Sequence, residues 1–137
     1  MVWTTLNEGL AAALRAAGWW SEGLAARIEI AVPRDPSHGD WTTNLALIAA
    51  REAGLPPRQV AERLAAAFPR DPQQFEPVEI AGPGFLNFRY AEPFLRALPA
   101  RIAHEGGAFG RHDHAHGDRV LVEYVSANPT GPLHVGH

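Results

Sequence analysis

The chain contains no cysteine, and its twelve basic side chains are all arginine, so it has no lysine either. Without cysteine there can be no disulfide and no thiolate metal site, which removes the extracellular stapled scaffold from consideration and makes a cytoplasmic home the expectation. Without lysine no lysine-bearing phosphate loop can form, so any cation offered to phosphate must be a guanidinium. No apolar run approaches the roughly 20 residues that span a bilayer, and no basic segment leads an apolar one at the N-terminus. Neither a membrane span nor an export signal is expected. The formal net charge is −3, which gives no general electrostatic grip on a polyanion; nucleic-acid binding would have to come from a local patch.

The sequence does contain the makings of one folded core. Hydrophobic residues are 46% and charged residues 20% of the 137, a balance that argues for a globular domain rather than disorder. Leu6, Leu10 and Leu14 recur every four residues through an alanine-rich stretch, which predicts an amphipathic helix ended by Gly18. "ARIEIAVP" at 26–33 alternates before a proline and predicts a strand with Ile28 and Ile30 facing the core. "RDPSHGD" at 34–40 is rich in turn formers, with His38 in the turn and Asp40 placed to cap a helix carrying Trp41, Leu45 and Ile48 and closed by Gly54. A second helix follows at 55–68, with proline in its first turn and Val60, Leu64 and Phe68 on one face.

"VEIAGPGFLNFRY" at 78–90 reads as strand, Gly-Pro-Gly turn and strand, a hairpin. Residues 91–105 have helical character, with Pro99 expected to kink or split the helix. "GGAFGRHDHAHGD" at 106–118 reads as a linker. His112, His114 and His116 would share one side if extended, a spacing a zinc or nickel ion could use, but they are read as solvated linker and no metal site is assigned. The predicted fold is therefore α+β: helices packed on a small antiparallel sheet in residues 1–110, then a linker and the start of a second unit in 111–137.

That second unit opens with "RVLVEYV" at 119–125, a nearly continuous apolar run of the kind that forms a strand buried on both faces of a parallel sheet. Glu123 lies inside it, where an unpaired carboxylate is costly, so it is expected to face a polar partner or a ligand. Asn128 precedes Pro129 and so leaves helical geometry at the strand's carboxyl end, where open α/β sheets bind ligands. His134 and His137 would share the first turn of a following helix, where backbone donors attract phosphate, and Gly136 would let a flat base approach the backbone.

The string "VEYVSANPTGPLHVGH" at 122–137 closely resembles the signature of arginyl-tRNA synthetases, class I aminoacyl-tRNA synthetases, and "DPSHGDWTTNLA" and "EIAGPGFLNF" resemble two segments of that family's N-terminal additional domain. The resemblance implies that 119–137 is the first strand and "HIGH"-type motif of a truncated Rossmann-type catalytic domain. It implies that His134, Gly136 and His137 bind ATP, with His134 and His137 acting in adenylate formation, and that Glu123, Ser126 and Asn128 help hold arginine. Histidine donors near a helix N-terminus suit the charge that develops as a carboxylate attacks the α-phosphate. The full-length enzyme would use ATP with Mg to join arginine to tRNA(Arg). The lysine-containing loop and anticodon-binding domain of the family do not occur within these residues, so this chain alone is expected to be catalytically inactive; it is also expected to hold no cofactor and to be monomeric.

For the first unit, strand parity puts Leu86, Phe88 and Tyr90 on one face and Phe85, Asn87 and Arg89 on the other. A ring, a carboxamide and a guanidinium in a row suit RNA: a base stacks on the ring, the amide reads its edge, and the cation meets phosphate. The bland alternative is that Phe85 tops the core and Asn87 satisfies a turn. The resemblance implies the former, since the family's additional domain grips the D-loop corner of tRNA through positions matching Phe85 and Asn87. The rival function is a stand-alone module in which the same face binds a protein or another RNA without catalysis.

Overall fold

The computed structural model describes residues 2–111, 119 and 121–123. Contacts group the chain into two units, Met1–His104 and Glu105–His137.

In the first unit, α1 (Val2–Ala16) turns Leu6, Leu10, Ala13 and Leu14 into the core, as their spacing predicts. It ends at Ala16, Gly18 turns the chain with φ +74°, and Trp19 N–H then donates to the Leu14 carbonyl at 2.9 Å and satisfies one of the helix's last acceptors. A one-turn helix, α2 (Glu22–Ala25), follows, capped by Ser21 Oγ accepting from Leu24 N–H at 3.1 Å. Four residues carry no readable period, so the sequence did not reveal it. β1 is only Ile30–Ala31, shorter than the alternation suggests, although Ile28 and Ile30 do pack against the core.

The segment after the turn departs from expectation. Trp41–Thr43 forms a strand, β2, and helix α3 begins only at Leu45 (Leu45–Ala53). Asp40 is therefore not a helix cap. Its backbone N–H donates to the Phe88 carbonyl at 2.9 Å, and its carboxylate accepts from Tyr90 N–H at 2.8 Å. An aromatic followed by two β-branched residues favours a pleated surface, and a pairing partner 45 residues later decides the matter. Thr43 Oγ1 accepts from Leu45 N–H at 3.3 Å at the start of α3; Asn44, the residue at the cap position, makes no side-chain cap bond.

Helix α4 (Pro57–Ala67) has proline in its first turn and buries Val60, Ala61 and Leu64, with Phe68 just beyond, as expected. β3 (Glu79–Ala81) and β4 (Phe85–Phe88) form the expected hairpin. The four strands make one antiparallel sheet in the order β1-β2-β4-β3, so β4 is flanked on both sides. The helices pack on the sheet face that carries Leu86 and Phe88, which join Leu6, Leu14, Leu45, Leu64 and Phe75 in a single core. The α+β reading of the first unit thus stands.

α5 (Glu92–Glu105) runs through Pro99 without a break and has no fully buried residue. The donor that Pro99 lacks would have served Leu95, which is 49% exposed, so water can take its place there. In the second unit, Gly106–Ala108 forms a 3-10 turn. Arg119, Leu121, Val122 and Glu123 lie in no strand and are exposed, Leu121 by 93%. The strand buried on both faces that their apolar run suggests is not seen at these four positions; such a strand needs neighbours to take its backbone hydrogen bonds, and none pairs with it among the described residues. No described helix is long and apolar enough to cross a membrane.

Candidate nucleic-acid interface

The two segments singled out in the sequence, 35–46 and 79–88, lie side by side as β2 and β4, with Trp41 opposite Phe88, Thr42 opposite Asn87 and Thr43 opposite Leu86. The loop before β2 is fixed by its own short-range chemistry. Asp35 accepts from Ser37 N–H at 2.9 Å and caps the 3-10 turn Pro36–His38; this backbone bond, above all, holds the Asp35 carboxyl below its usual pKa. Gly39 then takes φ +99°, and a β-carbon there would sit 2.7 Å from the Phe88 carbonyl oxygen. Arg89 Nη2 donates to the Ser37 carbonyl at 2.8 Å. The loop is thereby tied to the end of β4 at three successive residues, Phe88, Arg89 and Tyr90.

Along β4 the parity argument holds for the apolar residues: Leu86 and Phe88 are both 1% exposed. On the opposite face Phe85 is 38% exposed and Arg89 is also exposed. The middle of that row is different. Asn87 is only 3% exposed, because it sits in a central strand between Thr42 of β2 and Glu79 of β3, its partners in register. Its Oδ1 accepts from Thr42 Oγ1 at 2.7 Å. Its Nδ2 is sealed and has no hydrogen-bond partner, a state shared among the described residues only by Asn44 Oδ1. The expected solvent-open row is therefore open at its ends and closed at its centre.

The turn that presents Phe85 is anchored from below. Gly84 has φ +148°, and a β-carbon there would come within 2.9 Å of the Pro57 carbonyl oxygen at the start of α4. Arg58 Nη1 donates to the Gly82 carbonyl at 3.3 Å. Phe85 thus stands on a turn fixed to a helix, which limits the conformational freedom its ring would lose on binding.

At the other end, Tyr90 OH accepts from Trp41 Nε1 at 2.8 Å, and its ring stacks between Phe75 and Phe94, with centroids 5.6 and 5.0 Å away. Burial pushes the phenol's pKa up; the Trp41 bond opposes this and the Asp40 charge adds to it. A phenol whose folded pKa exceeds its unfolded value of about 10 contributes nothing to the pH dependence below that value, and its stabilisation is lost as pH rises through the folded pKa. Stability should accordingly fall as the pH rises above about 10, less steeply in Tyr90→Phe, as urea denaturation at about pH 9 and pH 11 will show. With no lysine present and arginine charged throughout, only two tyrosines titrate in that window. An equal slope in the variant would exclude Tyr90 as its source.

Thr42 and Ser37 were not found by sequence reasoning. Thr42 was assigned to a helix, and the Ser37 contribution is a backbone carbonyl; the signal available was the strand propensity of Trp-Thr-Thr. Among the described residues no three histidine, aspartate or glutamate side chains gather as a metal site. Glu123 is exposed. Ser126, Asn128, His134, Gly136 and His137, with the linker histidines His112, His114 and His116, lie outside the described residues.

The fold and this face define a small α+β domain built on a helix-backed antiparallel sheet. Residues 4–90, well over half of the chain, match the family model described as the arginyl tRNA synthetase N terminal domain, and the chain belongs to that family. Among curated relatives, the arginine–tRNA ligase of Cereibacter sphaeroides (strain ATCC 17025 / ATH 2.4.3) is 48% identical over 91% of this chain and 22% of its own length. That of Bacillus subtilis (strain 168) is 42% identical over 96% of this chain and 24% of its own. The solved structure of Thermus thermophilus arginyl-tRNA synthetase superimposes with a TM-score of 0.54 at 29% identity, over 70% of this chain and 15% of that one. The chain thus spans less than a quarter of the length of the relatives it matches.

Proposed function

We propose that residues 1–110 are the tRNA-binding additional domain of an arginine–tRNA ligase and that Phe85, Asn87 and Arg89 grip the D-loop corner of tRNA(Arg). Residues 111–137 are then the linker and the opening of the Rossmann-type catalytic domain. The whole enzyme joins arginine to tRNA(Arg) in the cytoplasm through an arginyl-adenylate made from ATP, with Glu123, Ser126 and Asn128 toward arginine and His134, Gly136 and His137 toward ATP and its Mg. Similarity to the arginine–tRNA ligase of Paracoccus denitrificans (strain Pd 1222) runs over 134 residues, 97% of this chain, and supports carrying these roles into the tail.

The observation that carries the RNA reading is the exposed Phe85 ring beside a carboxamide whose N–H donors lack a partner. An unfilled buried donor costs about 1–3 kcal/mol, which a base edge bearing an acceptor would recover. Arg89 adds a cation at the far end of the row. The geometry suits one unstacked nucleotide: ring for the base face, amide for its edge, guanidinium for phosphate.

The 137-residue chain should shift a tRNA(Arg) transcript in a saturable, salt-sensitive titration. Phe85→Ala and Asn87→Ala should each weaken binding by about 1–3 kcal/mol with the fold intact by circular dichroism. No binding at low salt would favour the protein-interaction reading, and full affinity in both variants would remove this face from the RNA contact.

A further inference from the structure

Thr42 sits at the centre of the proposed RNA face, and no role in the family resemblance attaches to it. Its hydroxyl donates to Asn87 Oδ1 at 2.7 Å, the one hydrogen bond that carboxamide makes among the described residues. An asparagine amide has two orientations, one presenting oxygen and one presenting nitrogen to whatever stands opposite. In β4, Thr42 is on one side of Asn87 and Glu79 on the other. Turning the amide over would break the Thr42 hydrogen bond and set the Asn87 nitrogen against the Thr42 hydroxyl. Thr42 thus fixes which end of the amide is engaged and leaves the nitrogen without a partner.

We infer that Thr42 is a positioning residue that locks the Asn87 carboxamide with its oxygen engaged and its N–H group left as the free end, so that this face selects a nucleobase edge presenting an acceptor, a carbonyl oxygen or an unprotonated ring nitrogen. The inference rests on the RNA reading above. An amide free to turn over would accept an exocyclic amine as readily as it donates to a carbonyl, and the discrimination would be lost. The pinned amide instead offers a donor that is already out of water, so a ligand acceptor gains a hydrogen bond without stripping water from the protein side. The same-face neighbours Phe85 and Arg89, two residues away in each direction, are both exposed; the Phe85 ring lies against the turn, 4.0 Å from where a β-carbon on Gly82 would be. Because the amide is closed to solvent in the free chain, its engagement by a base requires neighbouring side chains to move.

The test pairs Thr42→Val, which keeps the branched shape and removes the hydroxyl, with Thr42→Ser, which keeps the hydroxyl. Binding of tRNA(Arg) transcript to the 137-residue chain should weaken about three- to tenfold in Thr42→Val, the equivalent of one hydrogen bond, and return to within about twofold of wild type in Thr42→Ser. In nitrogen-edited NMR spectra, the Asn87 side-chain amide resonances should shift on adding tRNA to the wild type and to Thr42→Ser. Equal affinity in Thr42→Val, or weakening that serine does not restore, would overturn the positioning role while leaving the Phe85 contact standing. Asn87 amide signals unmoved by bound tRNA would overturn it too. Failure of the wild-type chain to bind tRNA at all would instead remove the underlying RNA reading and this inference with it.

Discussion

Phe88→Ala should lower the unfolding free energy of this chain by about 3–5 kcal/mol, read from the urea midpoint and slope against the wild type. Phe88 is 1% exposed. Its ring meets Phe68 at a centroid distance of 5.1 Å and Phe75 edge-on at 6.2 Å, so it joins the end of α4 to the segment that leads into β3. Truncation removes the ring's transfer free energy and leaves a void that two other aromatic rings must collapse to fill. Typical domains of this size have only about 5–15 kcal/mol in hand, so most of the margin would go. Phe85→Ala is the internal control. It is the same substitution in the same strand, three residues away, with a ring 38% exposed on the opposite face, and it should cost less than about 1 kcal/mol of stability. Equal losses in the two variants would contradict the two-faced sheet on which the proposed binding face depends.

Gly39→Ala should be nearly as damaging, for a backbone reason. At φ +99° and ψ −160° an L-residue is strained by about 1–3 kcal/mol. The added β-carbon would also stand 2.7 Å from the Phe88 carbonyl oxygen, an atom that already accepts from Asp40 N–H and cannot retreat without breaking that bond. Relief of the overlap should cost about 1–3 kcal/mol more, giving an expected loss of roughly 2–6 kcal/mol. Because the loop is also held by Arg89 and by Tyr90 N–H, this loss should be accompanied by weaker tRNA binding even where the variant is folded. Wild-type stability in Gly39→Ala would show that the loop does not press on β4 as described.

The two substitutions act on one junction, and this gives the proposed interface its rigidity. β4 supplies core on one side through Phe88 and the proposed binding groups on the other through Phe85 and Asn87. The 34–40 loop closes the end of the strand, and β2 supplies both a pairing edge and the hydroxyl that donates to Asn87. In the proposed role the domain would work by presenting a fixed surface. Its stability and its binding geometry are therefore carried by the same residues.

Local pattern was enough for the helices α1 and α4, the 79–88 hairpin and the inward direction of Leu86 and Phe88. Each depends on a period or a turn written within about a dozen residues, where local sterics and burial agree. It also carried the motifs that place the chain in its family. The tertiary structure alone decided that Trp41–Thr43 is a strand, that Asp40 serves Tyr90 rather than a helix, and that Asn87 is closed in beside Thr42 with a donor to spare. Those outcomes arise from pairing between residues about 45 positions apart, and a three-residue strand has too little period of its own to announce which neighbour will claim its backbone hydrogen bonds.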